Sequence, residues 1–178
     1  TVLGDAENPV RFTPSDTKKG WGAICIEDVS DTCYFNHLVI NGATYGPDPN
    51  AFNAAITSHG SHLVLDHVSL EDVILPFYVR YGSAKIRNCY FDGSHASIDN
   101  VDIKFASALV EHSTFYGLGE LLTMDVVDNC VIRDNKFVCL GSSINMDGID
   151  LDASKNVLIQ GNVILNAPDK GISIGESS

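Results

Sequence analysis

Six short segments of this chain share one pattern, in which a large apolar residue stands at the first position and another at the sixth. The segments begin at Phe35, Leu65, Ile86, Val110, Ile132 and Ile159. Their starts are spaced by about 25 residues on average, a spacing typical of repeat proteins. Such a repeat constrains the fold strongly, because each unit can bury its apolar face only against its neighbours.

A second short alternating segment precedes each of the six, and a seventh copy closes the chain. These segments are 23–27, 55–58, 78–81, 102–105, 121–125, 148–152 and 171–175. Alternation predicts strands, and the i, i+3, i+4 spacing of helices is missing from them. With Gly, Asn and Asp at the joints, the pattern predicts an all-β fold: a single-stranded right-handed parallel β-helix, a solenoid of about seven coils of about 23 residues.

The residue after the first apolar position of each six-residue segment indicates how the coils align. In chain order these residues are Asn36, Asp66, Arg87, Glu111, Arg133 and Gln160. A parallel stack places them on neighbouring rungs about 4.8 Å apart. The charged members alternate in sign, which is favourable across neighbouring strands, so we expect a ladder that fixes the register.

The repeat does not cover the beginning of the chain. We expect residues 1–20 to form a partial N-terminal coil with its loop, and residues 21–178 to form the parallel β-helix. Because the last copy stops in mid-pattern, we also expect a fragment of a longer solenoid. Its remaining coils, or a neighbouring chain, would then stack on the solenoid ends, where strand edges are unpaired.

Charge and hydropathy limit the possible partners. The 178 residues include 11 Lys and Arg against 23 Asp and Glu, which gives a formal net charge of −12. This balance argues against a nucleic-acid partner, because neutralising phosphates requires a basic surface. It suits a protein that holds cations or meets neutral or cationic ligands. No apolar run of about 18 residues occurs, so no membrane span is predicted.

The five cysteines, at positions 25, 33, 89, 130 and 139, are interpreted as buried apolar thiols. Their odd number leaves at least one unpaired. Cys25 with Cys33, or Cys130 with Cys139, would share a coil, so these two disulfides stay open as alternatives. Four coils separate Cys33 from Cys130, which is too far for a disulfide.

The six-residue unit (large apolar, polar, polar, Asn-like, any residue, large apolar) resembles the repeats of the pectin-lyase-like right-handed parallel β-helix superfamily, over about residues 21–178. The segment from Leu65 to Leu70 is similar to an element of pectate lyases, and residues 147–152 with 169–176 look like β-helix regions of large bacterial surface or secreted proteins. The resemblance implies the fold. It leaves function open among lyases, hydrolases, epimerases, phage tailspikes and non-catalytic surface modules.

The outward positions of the first strand in each coil carry the candidate side chains for ligand binding, metal binding and catalysis. Alternation places Tyr78, Arg80, Lys104, Asp125, Asp150, Asp152 and His59 there. Asp125 and Asp152 are expected on adjacent rungs, where like charges repel unless a cation or a raised pKa relieves them. Because carboxylate oxygens bind Ca²⁺, Asp125, Asp150 and Asp152 form a candidate calcium site. The alternative is a solvated acidic face without metal.

Two functions are compatible with these residues. The first is a non-catalytic extracellular or cell-surface β-helix module, acting as a rigid stalk or as a surface that contacts a polysaccharide or cell-surface glycan through Tyr78 and His59. The alternative is a Ca²⁺-dependent lyase or epimerase acting on an acidic polysaccharide. In that case Lys104 or Arg80 would remove the proton alpha to a uronate carboxylate. The motifs of the polygalacturonan-cleaving glycoside hydrolases do not occur, so an enzyme would be a lyase or epimerase.

Overall fold

The computed structural model describes residues 1–16, 18–95, 99–141 and 145–175. Within these ranges every regular element is a β-strand, and the strands pair in parallel. Among the same residues there is no helix with the length and apolar character needed to span a bilayer.

A complete coil consists of a first, a second and a third strand. The first strands form a seven-stranded sheet: β3 (Ile24–Glu27), β5 (Ile56–His59), β7 (Phe77–Arg80), β10 (Val101–Lys104), β13 (Leu122–Asp125), β16 (Ile149–Asp152) and β19 (Ile172–Gly175). All other strands belong to one branched sheet. It begins with the short β1 (Val2–Leu3) and β2 (Val10–Phe12), which pair with β4 (Cys33–Asn41).

The branched sheet divides after β6 (His62–Glu71), a long strand that pairs with β4 on one side and with two shorter strands on the other. The second strands are β8 (Ser83–Arg87), β11 (Ser107–Glu111), β14 (Asp128–Arg133) and β17 (Lys155–Gln160). The third strands are β9 (Tyr90–Gly93), β12 (Thr114–Gly117), β15 (Lys136–Cys139) and β18 (Val163–Leu165). The chain is therefore a parallel β-solenoid of about seven turns, which confirms the predicted fold class.

The predicted register of the second strands is confirmed. The six apolar residues that begin the repeat pair with one another on successive rungs. The charged ladder beside them forms as well: Glu111 Oε1 lies 2.5 Å from Arg87 Nε, and Glu111 Oε2 lies 2.7 Å from Arg133 Nε. Burial raises the pKa of Glu111, but the hydrogen bond from Arg133 and the charges of both arginines lower it more, so its pKa lies below the usual value.

For the first strands, the sequence pattern predicts one inward row, and this register is wrong in two coils. The predicted row is Ile24, Ile56, Val79, Ile103, Leu122, Ile149 and Ile172. Phe77 and Val101 continue the inward row that begins at Ile24, whereas Val79 and Ile103 lie one inward position further along the strand. Because side chains alternate with a period of two, a shift of two residues leaves each one on its predicted face. All four residues are fully buried, so periodicity alone could not reveal the shift.

The turn after each first strand from β3 to β16 contains one residue in the left-handed backbone region. These residues are Asp28, Gly60, Tyr81, Phe105, Val126 and Ala153, with φ between 48° and 64°. The left-handed region costs a residue with a Cβ atom roughly 1–2 kcal/mol, and it is a genuine outlier for a β-branched or bulky side chain. Tyr81, Phe105 and Val126 accept this conformation and expose their side chains.

All five cysteines are free thiols, so neither intra-coil disulfide forms. The interpretation as buried apolar thiols holds for Cys89, Cys130 and Cys139. It does not hold for Cys25, whose position on β3 faces outward and is exposed.

Candidate functional site

The first strands present two outward columns of side chains along the solenoid. One column contains Cys25, Thr57, Tyr78, Asp102, Thr123, Asp150 and Ser173, and the other contains Glu27, His59, Arg80, Lys104, Asp125, Asp152 and Gly175. Arg80 therefore lies next to Lys104, and Asp125 lies next to Asp152 as predicted. Asp150 belongs to the other column, opposite Thr123.

Lys104 is bound by two carboxylates. Its Nζ lies 2.8 Å from Asp125 Oδ2 and 3.3 Å from Asp102 Oδ2. Partial burial lowers the pKa of Lys104, but the hydrogen bonds and charges of Asp125 and Asp102 raise it more, so its pKa lies above the usual value. A general base must be deprotonated at working pH. The geometry thus favours a permanently charged Lys104 over a proton-abstracting one.

Seven carboxyl groups, referred to below as the acidic array, lie on three neighbouring coils. They are Asp99, Asp102, Glu120, Asp125, Asp147, Asp150 and Asp152. Asp102 is only 5% exposed, and its Oδ1 has no hydrogen-bond partner among the described residues. Burial raises the pKa of Asp102 to about 7. Glu120 accepts a hydrogen bond from Thr123 Oγ1 at 3.0 Å, yet burial raises the pKa of Glu120 to about 7 as well.

Like charges in the acidic array are therefore relieved by protons at some positions and by Lys104 at others. Burial also raises the pKa values of Asp99 and Asp150. Within the described part of the chain, no group of three or more His, Cys, Asp or Glu side chains could hold a metal ion. The calcium site formed by Asp125, Asp150 and Asp152 stays a prediction.

The two residues predicted to contact sugar lie together, but one of them is covered. The rings of His59 and Tyr78 are 5.8 Å apart, and the ring of Phe52 lies 5.5 Å from His59 on its other side. Tyr78 points outward as predicted but is only 9% exposed, and burial raises its pKa. It therefore presents little ring surface to a ligand.

Two stacked and exposed aromatic residues follow the first strands β7 and β10: they are the left-handed residues Tyr81 and Phe105, referred to below as the aromatic pair. They are 54% and 42% exposed and stack with ring centroids 5.1 Å apart. The Arg80 guanidinium lies 4.8 Å from the Tyr81 ring and 5.2 Å from the Phe105 ring, and its Nη2 donates a hydrogen bond to Tyr81 Oη. Sequence alternation did not select this pair, although an aromatic residue directly follows the strand in both coils.

A shallow strip, referred to below as the corner groove, runs from Phe105 of the aromatic pair to the outward side chains of the second strands. It consists of three depressions of about 370, 270 and 150 Å³ that meet at Ser83, Lys85 and Ser107. Gly82 lines the largest depression, and its position requires glycine because a Cβ atom there would collide with the Ser61 carbonyl of the preceding coil. Leu109 lines the second depression.

Comparison with models of protein families finds no match, and comparison with curated proteins finds none either. Among solved structures, the chain is similar to the Streptococcus pneumoniae surface protein and adhesin PfbA, with a TM-score of 0.31 and 13% sequence identity. The match covers 79% of this chain and 49% of the adhesin chain, so it spans about half of that protein. Membership of the pectin-lyase-like superfamily stays a prediction.

Proposed function

We propose that this chain is a non-catalytic β-helix module of an extracellular or cell-surface protein, and that it contacts carbohydrate. The observation that carries the proposal is the aromatic pair, Tyr81 and Phe105, which stack on each other with their side chains exposed. Exposed aromatic rings bind the apolar faces of sugar rings by removing apolar surface from water. Arg80 beside the pair supplies hydrogen-bond donors for sugar hydroxyls.

The state of Lys104 supports binding rather than proton abstraction on this face. A lyase or epimerase needs a group that removes the proton alpha to a carboxylate. Lys104 is held in its charged form by Asp102 and Asp125. Arg80 is engaged with Tyr81, and that hydrogen bond raises the pKa of Arg80.

Binding of the chain to immobilised polysaccharides tests the proposal. We expect the wild-type chain to bind at least one polysaccharide, and the Tyr81→Ala, Phe105→Ala double variant to lose that binding. Tyr90→Ala is the matched control, because Tyr90 faces outward on β9, away from the aromatic pair. Binding that survives in the double variant, or no binding by the wild type to any polysaccharide, would contradict the proposal.

The second candidate function is a Ca²⁺-dependent lyase or epimerase on an acidic polysaccharide, and the adjacent rungs of Asp125 and Asp152 favour it. Melting the chain in Ca²⁺ and in chelator tests the calcium site. A higher melting temperature in Ca²⁺, absent from an Asp150→Asn, Asp152→Asn double variant, would support it. Equal melting temperatures, together with neither an unsaturated product nor an epimerised uronate unit from polygalacturonate or alginate, would contradict the enzyme and support the binding module.

A further inference from the structure

The corner groove continues along the solenoid beyond the aromatic pair. We infer that it binds a neutral, linear glycan whose sugar units follow one another from coil to coil, parallel to the solenoid axis. This inference rests on the proposed function, because it concerns the same surface. Beyond that function, it specifies that the ligand is uncharged and linear and that it runs parallel to the solenoid axis.

The direction follows from the arrangement of the three depressions. The largest is lined by Phe105, Val126 and Ser107, the next by Ser107 and Ser83, and the smallest by Ser83 and His62. Ser83 and Ser107 lie opposite each other on neighbouring rungs, as do His62 and Ser83. Rungs of a parallel sheet are about 4.8 Å apart. The groove is therefore a row of equivalent positions, one per coil, which suits a polymer of repeated units.

The lining of the groove combines apolar and polar groups. Phe105 and Val126 contribute apolar surface to the largest depression, beside the carboxylate of Asp128, and Leu109 and Val131 contribute apolar surface to the next one. Ser83 and Ser107 contribute hydroxyl groups. A pyranose ring has apolar faces and a rim of hydroxyl groups, so its faces can pack against the apolar surface while its rim forms hydrogen bonds with the serine hydroxyl groups.

Backbone conformation is the second observation that points to a ligand here. Tyr81, Phe105 and Val126 have φ values of 56°, 52° and 54°, where glycine or asparagine would be favoured. All three side chains are exposed, so burial of apolar surface does not offset the free-energy cost of this backbone conformation. The corresponding turns of other coils adopt the same conformation at Asp28, Gly60 and Ala153, so what distinguishes the groove is that bulky, exposed side chains occupy this position.

Charge excludes a polyanion as the preferred occupant. The protein carries a net charge of −12, and the acidic array lies on the neighbouring face of the first strands. Its field repels an anionic polymer at long range. Lys85 is the cation inside the groove, and no carboxylate lies within ion-pair distance of it among the described residues. A lone ammonium donates up to three hydrogen bonds, which neutral sugar hydroxyls can accept.

Affinity electrophoresis of the whole 178-residue chain tests the inference, with hydroxyethylcellulose, glucomannan or alginate in the gel. We expect at least one neutral polymer to slow the chain, and alginate to have no effect. Ser107→Tyr fills the middle of the groove and should weaken binding about tenfold or more. The matched variant Thr114→Tyr places the same side chain outward on β12, away from the groove, and should bind like the wild type. Circular dichroism checks that both variants fold.

The outcomes separate this inference from the proposed function. Binding to alginate but to no neutral polymer would overturn the inference while the carbohydrate-contacting module stands. A second result would also overturn the inference while the proposed function stands. In that result, the Tyr81→Ala, Phe105→Ala double variant loses binding, but Ser107→Tyr binds as well as the wild type or better. No binding to any polymer would overturn both. A hexasaccharide of the bound polymer should bind about tenfold more tightly than its disaccharide, and equal affinities would contradict a ligand that spans several coils.

Discussion

Asp102 is the residue whose burial has the clearest consequence for stability. It is almost fully buried, its Oδ1 lacks a partner among the described residues, and burial raises its pKa to about 7 from the usual 3.8. When the pH lies between these two pKa values, the Asp102 carboxyl keeps its proton in the folded chain and has lost it in the unfolded chain. The free energy of unfolding therefore falls as pH rises from about 4 to about 7 through this group, and Glu120 acts in the same direction.

Replacing Asp102 by Asn removes this pH dependence. Asn has nearly the same shape and never ionises, so we expect Asp102→Asn to raise the free energy of unfolding at pH 8 by on the order of 2 kcal/mol. At pH 4 the difference from the wild type should be small. Urea unfolding at both pH values measures this, with Asp31→Asn as the control because Asp31 is exposed. An equal effect at both pH values would show that burial does not perturb the Asp102 carboxyl.

Val126 is the residue at which backbone strain is most easily separated from packing. Its φ is 54°, an unfavourable region for a β-branched residue, and its side chain is exposed. Asn tolerates this region, so Val126→Asn should raise the free energy of unfolding by about 1 kcal/mol. Val131→Asn, at a position of β14 whose own φ is not positive, should not stabilise the protein. A destabilised Val126→Asn would mean that the side chain packs more than its exposure suggests.

At the scale of the strands, asparagine side chains hold the turn between second and third strands, with Asn135 buried and Asn162 half-buried. Asn135 Nδ2 donates a hydrogen bond to the Val110 carbonyl at 2.9 Å, and Asn135 Oδ1 accepts one from the Ser113 amide at 2.9 Å. Asn162 repeats this on the next coil, accepting from the Asn135 amide and donating to the Ile132 carbonyl. Each side chain thus ties its own coil to the preceding one where the backbone leaves the ladder.

Asn135→Ala should cost about 2–4 kcal/mol of unfolding free energy, because two buried backbone groups lose their partners. Asn50→Ala, at an exposed turn position, should change the unfolding free energy by less than about 0.5 kcal/mol. Urea denaturation compares the two variants directly. Equal midpoints would mean that water replaces the Asn135 side chain at no cost.

The strands also show which parts of the fold the sequence could predict. The second-strand register was predictable because a charged ladder runs beside the apolar row and gives a second, independent alignment. The first strands carry only the period of two, so nothing separated Phe77 from Val79 as the partner of Ile56. The exposed position of Tyr81 and Phe105 depends on left-handed backbone angles. Bulky residues rarely adopt these angles, so the sequence gives no sign of them.

At the scale of the whole molecule, the last described coil differs from the coils before it. Ile172 and Ile174 on β19 continue the inward rows of Ile149 and Leu151, yet they are 42% and 78% exposed, whereas their two partners are buried. In the described part of the chain, β17, β18 and β19 each pair with a strand on one side only. Unpaired strand edges beside exposed apolar side chains favour pairing with a further strand, either of additional coils or of another chain.

We therefore expect the 178-residue chain to associate as its concentration rises, with the last coil of one copy in contact with another copy. Ile174→Lys should weaken this association, because a charge on the exposed row must be desolvated when a neighbour covers it. Ile74→Lys is the matched control, since Ile74 is also exposed but lies in a turn far from β19 in the solenoid. Sedimentation velocity over a range of concentrations measures the effect. A sedimentation coefficient that stays at the monomer value at every concentration would contradict the prediction, and equal weakening by both variants would place the contact elsewhere.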